Sequence, residues 1–162
     1  MNVFAPTRIF NKISDIPFEL LKEWGIKAIL FDIDNTIAPS DDDNLCNDAV
    51  TWLMKAKELG FKTFIVSNGR PCRVKLASKK LGNIGYIWPS ALKPLKFGFL
   101  LAAKRLGVSP TECVMIGDQI FTDIKGANLC HMKTILVDPV DPSTDGFFAK
   151  RKRKHEAKYR NA

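Results

Sequence analysis

The run Ile26-Lys27-Ala28-Ile29-Leu30-Phe31 is apolar at every position but Lys27 and passes without a break into Asp32-Ile33-Asp34-Asn35-Thr36. Apolar residues that do not alternate with polar ones read as a buried strand. Two carboxylates at i and i+2 directly beyond such a strand sit at the edge of a core, where a charge is tolerated only beside a partner. These acids therefore read as parts of a site.

The junction recurs along the chain. Strand-like segments at 26–31, 61–66, 86–88, 113–116 and 134–137 alternate with helical ones at 47–59, 71–81, 94–106 and 122–129. That alternation predicts an α/β fold, a three-layer doubly wound parallel sheet with helices on both faces. Gly60, Gly82 and Gly107 stand where three of the helices should stop. In such a sheet ligands bind beyond the carboxyl ends of the strands. Asp32, Ser67 and Asp118 each follow a predicted strand, and Lys93 follows the short third one. At 162 residues and 46% hydrophobic content the chain makes one domain over residues 1–148, with a leader over 1–25. Residues 149–162 read as a flexible tail. They hold seven lysines and arginines against one glutamate, so +6 of the net charge of +8 sits there.

Several classes fall away. The longest apolar runs are strand-length, short of the roughly 18 residues of a membrane-spanning helix. No basic start with an apolar stretch and a small-residue cleavage site opens the sequence, so the expected address is cytoplasmic, at most peripheral on the inner face of the membrane. Cys46, Cys72, Cys113 and Cys130 form no C-x-x-C pair and are read as reduced thiols. His131 and His155, the only histidines, have neither zinc-finger spacing nor the partners of a Ser-His-Asp triad.

The four junctions together resemble the motifs of the haloacid dehalogenase superfamily phosphatases, in the order of that family. Asp32-Ile33-Asp34-Asn35-Thr36 is similar to the first, Val66-Ser67-Asn68-Gly69 to the second, Lys93-Pro94 to the third, and Gly117-Asp118-Gln119-Ile120-Phe121-Thr122-Asp123 to the fourth. The resemblance implies that Asp32 is a nucleophile forming an aspartyl-phosphate, and that Asp34 protonates the leaving alkoxide and then activates water. It implies that Ser67, with Asn68, Gly69 and the neighbouring Arg70, binds the substrate phosphate, and that Lys93 offsets the charge of the transferring group. Asp118, Asp32 and the Asp34 carbonyl would hold Mg²⁺, a hard ion that takes oxygen ligands, with Asp123 orienting metal-bound water or Lys93. Asn35 stands where the family often has glycine, and asparagine tolerates a left-handed turn.

The intervals between motifs leave no room for the cap domain that many members carry, so the expected site is capless and open. An open site favours a phosphate monoester presented by something large. The leader, with Ile16, Leu20 and Trp24 at helical spacing, and the Ile-Lys-Ala approach to Asp32 resemble the phosphatidylglycerophosphate phosphatase branch of the family, subfamily IIIA. That resemblance implies a lipid substrate. Phe147 and Phe148 ahead of Lys150, Arg151, Lys152, Arg153 and Lys154 would suit an anionic membrane surface. The alternatives are a soluble nucleotide or sugar phosphate, a nucleic-acid end, or a basic adaptor on RNA or ribosomes.

Overall fold

Among the residues described by the structure, a computed structural model covering 2–88 and 90–160, six parallel strands form one sheet. They are β1 (Arg8–Phe10), β2 (Ala28–Phe31), β3 (Lys62–Ile65), β4 (Gly85–Tyr86), β5 (Cys113–Gly117) and β6 (Lys133–Val137), in the spatial order β1-β6-β5-β2-β3-β4. The continuous apolar runs are buried because both faces are covered. Ile29, Phe31, Ile65, Val114 and Ile116 point to one side, against α1 (Phe18–Glu23), α2 (Asn47–Glu58) and α3 (Pro71–Lys80). Ala28, Leu30, Phe64, Val66 and Met115 point to the other, against α4 (Lys96–Leu106) and α5 (Lys125–Leu129). Phe31 and Phe99 are fully buried in the two layers, and each contributes about 1.5–3 kcal/mol by leaving water. The fold is the expected three-layer α/β architecture, and no domain is inserted between the motifs among the described residues.

Three local differences from the sequence expectation have physical causes. Strand β1 lies outside the expected strands; it is a three-residue edge strand whose register, Arg8 opposite Ile135, is set by its partner rather than by any pattern of its own. Helix α4 begins at Lys96 rather than at position 94, because Leu95 is extended (ψ 142°) and Pro94 belongs to the turn that presents Lys93. It stops at Gly107, whose φ of +66° costs a residue without Cβ little.

The third difference concerns the tail. From Phe147 to Arg160 it is a helix, α6, packed on the body; Met1, Asn161 and Ala162 lie outside the described residues. Its inner stripe is charged but paired, so the run of like charges hid a helical period. Glu156 is buried and accepts from the Phe121 amide at 2.7 Å. Tyr159 packs on Phe4 and Phe121, and Arg160 meets Asp138. Phe147, Phe148, Lys150, Arg151, Lys154 and Lys158 face solvent, whereas Lys152 is half-buried and Arg153 turns inward. Of the cations expected to meet a membrane, these last two do not form the exposed face.

Candidate active site

Strand β2 keeps its ladder through the Asp32 amide, which donates to Ile116 O at 3.1 Å. Beyond it the chain turns back on itself. Ile33 O accepts from the amides of Thr36, Ile37 and Ala38, and Asn35 is left-handed at φ +56°. This turn separates the two acids. Asp32 stays buried at the sheet edge, while Asp34, partly exposed, reaches sideways to Arg73 Nε at 2.6 Å.

Lys93 lies between two carboxylates, 2.9 Å from Asp32 Oδ2 and 2.7 Å from Asp123 Oδ1. Its backbone is gripped by Asn68, whose Oδ1 accepts from Lys93 N and whose Nδ2 donates to Lys93 O. Both ends of that amide are taken. Asn68 thereby secures the loop of Lys93, and its Nδ2 carries a second hydrogen beside the one given to Lys93 O. Ser67 is buried, and its Oγ accepts from Gly69 N at 3.0 Å. A Cβ at Gly69 would sit 3.1 Å from Asp34 Oδ2 and 3.2 Å from Ser67 Oγ, so Ser67 and Asp34 line one recess. Arg70 is exposed just ahead of α3.

Asp118, Asp123 and Asp32 are buried and bring one carboxylate oxygen each to within 4.8 Å of one another. The turn from Ile120 to Ile124 folds Asp123 back so that its Oδ2 accepts from Gln119 N at 3.0 Å. Gly117 makes this possible, since a Cβ there would come closer than 3.0 Å to the Asp123 carboxylate. Thr36 Oγ1 donates to Asp118 Oδ1 at 3.1 Å. The Asp34 side chain is not in this cluster.

Unit charges about 4 Å apart interact by about 4 kcal/mol at an effective dielectric near 20, so three clustered acids strain one another. Burial, reinforced by Asp123 and Asp32, pushes Asp118 up to about 8, against the pull of Arg153. Burial also lifts Asp123 to about 6, with Lys93 opposing. Asp34 is raised by burial and by Asp32, with Arg73 working the other way. Burial disfavours the Lys93 ammonium, yet Asp123 and Asp32 outweigh it and raise its pKa. The donors are all hard carboxylate oxygens, without sulfur or imidazole, and so suit Mg²⁺.

Sequence reasoning missed four participants: Thr36, Arg73, Asp145 and Arg153. Arg73 left a signal, since it lies on the inward stripe of α3 beside Val74 and Ala77. It is only 5% exposed; besides Asp34 it donates to Asp43 Oδ1 at 2.7 Å and to the carbonyls of Pro39 and Asp42. Asp43 is thereby tied to the site.

A family model described as haloacid dehalogenase-like hydrolase matches residues 37–131. The chain is 39% identical over 159 residues to a protein of Bacillus subtilis named "Probable phosphatase YqeG", covering 98% of this chain and 91% of that one. It is 33% identical over 97 residues to a glyceraldehyde 3-phosphate phosphatase of Methanopyrus kandleri, covering 56% of this chain and 42% of the relative. Among solved structures, a HAD phosphatase from Thermococcus onnurineus superposes with a TM-score of 0.63 at 20% identity, over 75% of this chain and 90% of that one.

Proposed function

This chain belongs to the haloacid dehalogenase-like hydrolase family and is a phosphatase, and from that premise we propose a Mg²⁺-dependent phosphomonoesterase that works through Asp32. The observation that carries the proposal is Lys93 held between Asp32 and Asp123, with Asp118 in the same acid cluster.

In the proposed reaction a carboxylate oxygen of Asp32 attacks phosphorus and the ester P–O bond breaks. Asp34 gives its proton to the departing alkoxide. Burial and Asp32 raise its pKa, the direction that an acid role calls for. In the second step Asp34 takes a proton from water as the water attacks the aspartyl-phosphate, which frees Asp32 and inorganic phosphate. Ser67 gives its hydroxyl hydrogen to a phosphoryl oxygen, aligned by the Gly69 amide from which its Oγ accepts and joined by Asn68, with Arg70 at the rim. Asp32, Asp118 and the Asp34 carbonyl would hold Mg²⁺, which supplies positive charge against the transferring phosphoryl group. Lys93 adds a second cation, and Asp123 keeps it in place.

For the substrate we favour phosphatidylglycerophosphate, cleaved to phosphatidylglycerol by an enzyme resting on the cytoplasmic face of an anionic membrane. Three features support this reading. No inserted domain covers the site among the described residues. Trp88, Leu92, Leu95 and Phe97 flank Lys93 in sequence and are 56–61% exposed, an arrangement suited to acyl chains and headgroups. The outer face of α6 adds Phe147, Phe148, Lys150, Arg151 and Lys154, and near-surface cations contribute about 1 kcal/mol each on an anionic leaflet. No helix among the described residues is long and apolar enough to cross a membrane. A soluble sugar phosphate is the second reading, favoured by the name of the Methanopyrus relative.

Phosphate release from phosphatidylglycerophosphate in mixed micelles, beside a panel of soluble esters and with Asp32→Asn as the blank, tests the proposal. Selective Mg²⁺-dependent turnover of the lipid is expected. Activity on soluble esters alone would sink the lipid assignment and leave the phosphatase.

A further inference from the structure

The contacts of Arg153 go beyond what docks a helix. Its Nη2 donates to Asp118 Oδ2 at 2.5 Å and its Nη1 to Asp118 O at 3.3 Å, while Nε and Nη2 hold the two oxygens of Asp145. The other oxygen of Asp118 accepts from Thr36. A carboxylate at the centre of the acid cluster is thus fixed from both sides, by the loop behind the nucleophile and by the last helix.

Asp145 closes the circuit. It is buried, and its Oδ1 accepts from Asn35 Nδ2 at 2.7 Å, while Asn35 Oδ1 accepts from the Asp141 amide at 2.8 Å. Glycine would adopt the left-handed conformation of position 35 more easily, but it has no amide to reach Asp145. The residue at 35 and the docking of α6 are therefore one feature.

We propose that Arg153 is a positioning residue of the catalytic centre: from α6 it orients the Asp118 carboxylate for the cation, and through Asp145 and Asn35 it fixes the loop that carries Asp34. The inference rests on the reading of the site as a Mg²⁺-dependent phosphatase. A guanidinium suits the task because its planar fork reaches two carboxylates at once, which an ammonium does with less directional control.

The test compares the full chain with Arg153→Ala, Arg153→Lys and Tyr159→Ala, using thermal melts, turnover of a soluble phosphate ester, and calorimetric titration with Mg²⁺. Outer partners of metal ligands typically contribute about 10–100-fold to affinity or activity. Arg153→Ala should lose kcat and Mg²⁺ affinity within that range, with the KM for the ester changed by less than about threefold. Guanidinium at low millimolar concentration should restore part of its kcat, and Arg153→Lys should fall between. Tyr159→Ala, which loosens α6, should melt earlier and gain nothing from guanidinium. Unchanged Mg²⁺ affinity in Arg153→Ala would overturn the proposal, as would tighter binding, which would make the guanidinium a competitor of the cation. A wild-type chain inert towards every ester would count against the phosphatase reading, while the Mg²⁺ titrations would still decide the role of Arg153.

Discussion

Asn68 holds Lys93 by both ends of one amide, its Oδ1 accepting from Lys93 N at 2.8 Å and its Nδ2 donating to Lys93 O at 2.9 Å. The two hydrogen bonds bring the loop after β4 to the end of β3 and so set where the ammonium lies. Asn68→Ala should cost about 1–3 kcal/mol of stability, at about 0.5–1.5 kcal/mol per bond. Because Lys93 then loses its register against Asp32, kcat should fall at least about tenfold. Urea melts and steady-state kinetics on a soluble ester check both parts, and wild-type kcat would contradict the positioning argument.

Arg73 opposes the upward shift of the Asp34 carboxyl. Its removal leaves Lys93 alone to oppose burial and Asp32, so Asp34 should hold its proton to higher pH. In Arg73→Ala the limb of the pH–rate profile that reports this acid should move upward, most visibly for esters with poor leaving groups. A limb that stays in place would show that the pair anchors the loop without tuning the acid.

Asp118, at about 8, and Asp123, at about 6, hold protons in the folded chain that an unfolded chain releases near 3.8. Folding therefore binds protons across that window, and stability falls as pH rises from about 4 towards 8. Without metal, the melting temperature of wild type should decline more steeply from pH 5 to 8 than that of Asp118→Asn. Saturating Mg²⁺ should flatten the wild-type curve. Parallel curves for the two proteins would remove Asp118 as the cause.

Gly117→Ala would drive a methyl group into the Asp123 carboxylate. Overpacking of this kind costs about 1–3 kcal/mol, and here it also moves Asp123 away from Lys93. Activity should drop by more than the small stability loss explains, when measured well below the melting temperature. A normal kcat in the Gly117→Ala variant would mean that Asp123 relaxes elsewhere without consequence.

The junctions where a strand runs into a polar side chain, at Asp32, Ser67 and Asp118, were legible because burial on two faces writes itself into six or fewer adjacent residues. The partners were not. Arg153 meets Asp118 from 35 residues away, and Asn35 meets Asp145 across 110; neither pairing leaves a local period. In α6 the docking arginines Arg153 and Arg160 carry the same charge as the exposed cations, so composition suggested a solvated tail where pairing makes a packed face. Strand β1 borrows its register from β6 and has too few residues to show one.

That borrowed strand has a temporal side. Thr7 pairs with Thr134, 127 residues further on, so at a synthesis rate of about 5–20 residues per second β1 waits roughly 6–25 s for its neighbour to leave the ribosome. Strand β6 must in turn emerge before the sheet gains its outer rim. Until then the nascent chain exposes the edge of β5, Cys113-Val114-Met115-Ile116, a short apolar segment that unpaired chains can add to. The last strand made is the one that lets the first come to rest.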